Sequence, residues 1–148
     1  MNKSKFLPIL GLALLLGGCG SNAVPKETIT VYKSYTCGCC TGWTEHMKSN
    51  GYNVKVVNLE DRDMPAVKKK YRVPSHLESC HTAIIGNYIV EGHIPSKVID
   101  KLLAEKPAID GIGMAGMPSG SPGMPGPKNE TWKIYSIKDG KTSLYEEL

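Results

Sequence analysis

The stretch Cys37-Gly38-Cys39-Cys40, a CxCC motif, puts three thiols within four residues, directly after a segment that alternates as a strand does and before one rich in helix formers. Thr28-Ile29-Thr30-Val31-Tyr32 reads as a half-buried strand running into Cys37. Between Thr41 and Asn50, Trp43, Glu45, Met47 and Lys48 predict a short helix that opens near Cys39 or Cys40 and stops at Asn50-Gly51. In a strand-to-helix turn the helix N-terminus lies against the first sulfur, and its partial positive charge favours thiolate over thiol. Gly38 gives the loop the freedom to turn several sulfurs towards one point.

Downstream the pattern stays α/β. Residues 52–59 predict a second strand, and a basic helix near Met64–Tyr71 is barred from continuing by Pro74. Thr82–Ile85 and Tyr88–Val90 read as strands joined at Gly86-Asn87, and Pro95–Glu105 as a helix with an apolar stripe of Ile94, Val98, Ile99, Leu102 and Leu103. Residues 111–127 hold six Gly and four Pro, a composition that predicts a loop without regular structure, carrying Met114, Met117 and Met124. Trp132–Ile137 and Thr142–Tyr145 flank Asp139-Gly140 as a β-hairpin. The order β-α-β-α-β-β-α, with its cysteine turn after the first strand, predicts a thioredoxin-like α/β domain over residues 28–148, the Met/Gly/Pro loop and C-terminal hairpin being additions.

The first 19 residues show a basic start, an apolar run from Phe6 to Leu16 and Leu16-Gly17-Gly18-Cys19, which resembles the bacterial lipobox; they predict a lipoprotein signal peptide with Cys19 as the lipidation site. The run is too short to span a bilayer permanently. Residues 20–27 read as a flexible tether, and its start, Gly20-Ser21-Asn22-Ala23, lacks the acidic residue of an inner-membrane retention signal, so the expected location is exported, lipid-anchored and on the outer membrane facing the periplasm. The formal charge of +4 falls to about +2 once Lys3 and Lys5 leave with the leader, giving no support to a nucleic-acid partner. With 148 residues, 41% hydrophobic and 22% charged, the chain excludes wholesale disorder and a large multi-domain enzyme.

Four cysteines remain after Cys19. Cys37 and Cys40 form a Cys-x-x-Cys pair, Cys39 lies between them, and Cys80 stands just before the strand at Thr82, on a loop that faces the cysteine turn if the fold is thioredoxin-like. Pairing Cys39 with Cys40 or Cys37 would be strained, so two disulfides are unattractive. Outside the cytosol such thiols oxidise or are held by metal, and soft thiolates select Cu(I) or Zn. Cu(I) on Cys37, Cys39, Cys40 and Cys80 is the leading expectation, because zinc sites usually show two separated cysteine pairs. A thiol-disulfide oxidoreductase with Cys37 as nucleophile and Cys40 as resolving thiol is the alternative, and a lipid-anchored adaptor with structural zinc the third. Redox chemistry and copper binding are compatible with each other.

His81 adjoins Cys80 as a further candidate ligand, although neighbours on an extended chain point to opposite faces. Met114, Met117 and Met124 are candidate thioether ligands for Cu(I), set against a role as adaptable apolar plugs. His93 reads as a capping or turn residue, His46 and His76 as surface residues, Met47 as core, and Lys68-Lys69-Lys70 as a solvated helix face.

Four segments in order then carry a family resemblance: Cys37-Gly38-Cys39-Cys40, Ser79-Cys80-His81-Thr82, Val90-Glu91-Gly92-His93-Ile94-Pro95, and Gly116-Met117-Pro118 with Gly120-Ser121-Pro122-Gly123-Met124. Together they resemble the bacterial periplasmic CopG-type copper-resistance-associated family, a domain of unknown function distinct from the DNA-binding repressors of that name. The resemblance implies a thioredoxin-like fold, copper binding by Cys37, Cys39, Cys40 and Cys80, and a place among periplasmic copper-handling proteins. Copper ions, other such proteins and a membrane reached only through the lipid are the expected partners.

Overall fold

A computed structural model describes residues 26–148; the expected leader, Cys19 and most of the tether lie outside the described residues. The elements are β1 (Lys26–Ser34), α1 (Gly38–Ser49), β2 (Tyr52–Leu59), α2 (Met64–Lys70), β3 (His81–Ile85), β4 (Tyr88–Glu91), α3 (Ser96–Glu105), β5 (Gly111–Gly113), β6 (Lys133–Lys138) and β7 (Lys141–Glu147). They build one sheet ordered β2-β1-β3-β4-β5-β6-β7. β1 pairs in parallel with β2 and antiparallel with β3, so the strand that feeds the cysteine turn is internal. An internal strand gives that turn a fixed base.

Side-chain alternation divides the faces. Ile29 and Val31 of β1, with Ala83 and Ile85 of β3, join Trp43 and Met47 of α1 and Val98, Ile99 and Leu102 of α3 in the principal core. The opposite face meets α2, where Tyr32 Oη lies 3.1 Å from Tyr71 Oη. Lys68 corrects the expectation of a solvated lysine run: its side chain turns inward and is buried, while Lys69 and Lys70 are exposed. Successive helix positions lie about 100° apart, so one of the three lysines falls on the side of α2 that meets the sheet. No helix among the described residues is long and apolar enough to cross a membrane.

The Gly/Pro segment differs from the expectation in one respect, because Gly111–Gly113 forms β5. This strand pairs in parallel with β4 and antiparallel with β6, splicing the hairpin into the main sheet. Glycine is required at 111, where a Cβ would collide with the Ile89 carbonyl oxygen. Local composition argued against a strand; the close approach of a neighbouring backbone made the glycine suitable for one.

Candidate metal centre

Cys37 is the N-cap of α1, and its Sγ accepts from the Cys40 backbone N–H at 3.3 Å. The helix therefore opens at Gly38, earlier than expected. That first turn brings Cys37, Cys39 and Cys40 to the end of β1, and the antiparallel return of β3 delivers Cys80 to the same place. Cys37 and Cys40 form a disulfide, while Cys39 and Cys80 are free thiols. Cys39 Sγ lies 3.5 Å from Cys37 Sγ and 3.6 Å from Cys80 Sγ. All four sulfurs fall within 4.8 Å of one another, close enough to share a metal ion. Burial, then the hydrogen bond with Cys39, push the Cys80 thiol up to about 12, so it is protonated at neutral pH and a metal ion must displace the proton.

The histidines surround Cys80. His93 Nε2 stands 3.4 Å from Cys80 Sγ, and its Nδ1 donates to the Pro122 carbonyl at 2.7 Å. The turn-stabilising part of the expectation describes the second contact but misses the first. His81 Nδ1 is 4.0 Å from Cys80 Sγ, while its ring packs 4.5 Å from the Trp43 ring and 5.1 Å from that of His93. Its Nε2 is buried without a hydrogen-bond partner, and desolvation holds the imidazole neutral, its pKa well below the ordinary value. Burial also lowers the pKa of His93. Cys80, His81 and His93 form a second group with ligand atoms within 4.8 Å.

The three loop methionines separate. Met117 places Sδ 3.1 Å from Cys80 Sγ. Met114 is buried in the principal core, and Met124 is half-buried. The loop covers the start of α1 closely: a Cβ at Gly123, where φ is +84°, would strike the Cys39 carbonyl and the Trp43 amide. His46, expected at the surface, is half-buried, and its Nε2 accepts from Ser96 N–H at 3.2 Å, capping α3. His76 is exposed, with Nε2 3.1 Å from Thr142 Oγ1.

Glu91 escaped the sequence reading as a participant. It is wholly buried next to the Cys80 loop, with Lys68 Nζ 2.6 Å from its Oε1. It lies within the motif Val90-Glu91-Gly92-His93, but a carboxylate at the end of a strand carries no sign of what will face it.

An α/β scaffold that converges four cysteine sulfurs beside two buried imidazoles defines a protein with a cluster able to hold a soft metal ion. Comparison with known proteins narrows this class. Residues 77–124 match the family model described as "Protein of unknown function, DUF411". Two solved structures named "Copper resistance protein copG", Form 2 and Form 1, are each 36% identical over 82% of this chain with a TM-score of 0.72, covering 98% and 97% of their own chains. No curated protein sequence matches the chain. The chain belongs to the CopG copper-resistance family.

Proposed function

We propose that the protein binds Cu(I) on Cys37, Cys39, Cys40 and Cys80 and serves copper resistance by withholding the ion from other reactions. The observation that carries this reading is the convergence of the four sulfurs within 4.8 Å, from two segments separated by the rest of α1, by β2 and by α2. The names of the related structures point to copper, and a thiolate set favours Cu(I). Zinc, the rival, is the less suited to three sulfurs crowded on one turn. Binding by all four thiolates requires the Cys37–Cys40 disulfide to be reduced and releases protons from the thiols that bind. His81, Met117 and Met124 stay as candidates for supplementary ligation, with Met117 the nearest to a sulfur of the cluster; Met114 is a weaker candidate because it packs in the core.

The dithiol also supports interconversion of copper. Two Cu(II) ions each take one electron from the Cys37/Cys40 pair, giving two Cu(I), one disulfide and two protons. The second reading, a thiol-disulfide oxidoreductase using Cys37 and Cys40, is favoured by the disulfide between them. Anaerobic Cu(I) titration of the reduced protein, beside Zn, tests the first reading. Tight Cu(I) binding that weakens in Cys80→Ala supports it; failure to hold copper, with disulfide reductase turnover that persists in Cys39→Ala, favours the second.

A thioredoxin-like description of the first part of the sheet is supported by the order β1-α1-β2-α2-β3-β4-α3 and by β1 lying between β2 and β3. We read the protein as exported and held by lipid on Cys19 to the outer membrane, facing periplasmic copper-handling partners. β1 starts at Lys26 and the cysteine turn follows its far end, so the sulfurs lie about 25 Å along the strand from the point where the tether joins.

A further inference from the structure

Cys80 sits on a loop between a single 3₁₀ turn at Ser75–Leu77 and β3, and only a loop held in place brings its sulfur to Cys39. A carboxylate on the α2 face of the sheet does the holding. Glu91 Oε1 accepts from Ser79 N–H at 2.6 Å and from Ser79 Oγ at 2.8 Å, and Oε2 accepts from Thr82 Oγ1 at 2.7 Å. Lys68 Nζ completes the arrangement, 2.6 Å from Glu91 Oε1 and 3.3 Å from Thr82 Oγ1. Residues 79 and 82 bracket Cys80 and His81, so one buried side chain grips the loop on both sides of the sulfur. Both charges are buried, and for a buried pair the hydration lost can equal or exceed the attraction gained, so stability is not the natural reason for it. What the pair supplies is geometry. Supporting groups of this kind orient ligands that they do not themselves replace.

We propose that the Lys68–Glu91 pair is a positioning device for the fourth sulfur, holding the Ser79–Thr82 segment so that Cys80 meets the cysteine turn. The proposal rests on the four-sulfur copper reading for its consequence in binding, but its geometric part stands without metal.

The test compares full-length protein with Glu91→Gln, Ser79→Ala, Cys80→Ala and the two double variants containing Cys80→Ala. Cu(I) affinity is measured anaerobically by competition with bicinchoninate. Glu91→Gln is expected to weaken binding roughly 10- to 100-fold, the usual effect of losing a ligand-orienting partner. Ser79→Ala should act in the same direction with a smaller factor, and neither should have any further effect once Cys80 is alanine. An equal loss in both backgrounds would mean a general structural role and overturn the proposal. Ser79→Ala keeps the buried charges paired, so if Glu91→Gln fails to fold, unchanged affinity in Ser79→Ala overturns it equally. A metal-free reading separates this inference from the copper assignment: the rate of Cys80 alkylation by N-ethylmaleimide, located by mass spectrometry in reduced protein, should rise in both single variants. Unchanged alkylation refutes the positioning role whether or not copper binds, whereas absent Cu(I) binding in the parent protein refutes the copper reading alone.

Discussion

His93 Nε2 faces Cys80 Sγ at 3.4 Å because the other ring nitrogen is engaged, Nδ1 donating to the Pro122 carbonyl at 2.7 Å. A carbonyl oxygen only accepts, so the proton is on Nδ1 and the Nε2 lone pair is left for the sulfur. One imidazole thus joins the covering loop to the thiol cluster. His93→Leu should leave the Pro122 carbonyl short of a donor, costing about 1–3 kcal/mol. Amide hydrogen exchange should speed up across 116–124 and leave the β1–β3 ladder unchanged; uniform acceleration would argue that His93 supports the whole core instead.

Two glycines with similar backbone angles should respond differently to alanine. Gly140, at φ +74°, has open space around it, so Gly140→Ala costs only the left-handed penalty of about 1–2 kcal/mol. Gly123→Ala adds collision with Cys39 and Trp43 backbone atoms, and its cost should exceed about 3 kcal/mol. Urea unfolding of the two variants makes the comparison, and equal midpoints would mean that the loop can lift from α1 without loss.

Oxidation state should control how much Cu(I) the protein holds. With the Cys37–Cys40 disulfide intact only Cys39 and Cys80 of the four remain as thiols, so binding should be weaker and the stoichiometry lower than in the reduced form. Titrating both forms under argon, with thiols counted before and after, checks this. Identical curves would remove Cys37 and Cys40 from the ligand set.

His46 offers a pH effect away from the sulfurs. Burial lowers its pKa, so the unfolded chain takes up a proton that the folded protein resists. Its contribution to stability is present above the ordinary histidine value of 6.5 and is lost as pH falls through the lower folded value. His46→Ala should cost about 0.5–2 kcal/mol at pH 8, through loss of the α3 cap. The cost should shrink between pH 7 and pH 5. A pH-independent difference in denaturant midpoints would mean that protonation does not disturb the contact with Ser96.

Much of the fold was legible because the relevant signals are local. The span of β2, the Gly86-Asn87 and Asp139-Gly140 turns and the stop of α3 follow from alternation, turn chemistry and helix periodicity, which a single segment carries. The cysteine cluster was legible for the same reason, three of its members being neighbours in sequence. Lys68 and Glu91 were not. Their identities are explained by each other across 23 residues, and a lysine beside two exposed lysines shows no sign of an inward turn. β5 was hidden because Gly111 and Gly113 usually argue against a strand, whereas here the closeness of Ile89 demands a residue without a side chain at 111. His93 and Met117 were recognised as residues of interest, but their distance to Cys80 depends on how a loop folds back, which periodicity does not encode.

The splice of β5 between β4 and β6 has a thermodynamic consequence. Residues 114–132 leave one strand and return on its neighbour, Gly113 pairing with Tyr135, so the segment's ends are joined in the sheet whatever its interior does. Opening that interior costs the loop's own contacts beside the cluster, of which the His93–Pro122 bond and the Met117–Cys80 approach are two, while the strand pairing below can stay closed. On the copper reading, exchange of the ion and global unfolding are then separate equilibria. On that reading the ion can be released many times within the lifetime of one folded molecule, and changes that tune the speed of release need not touch the melting temperature.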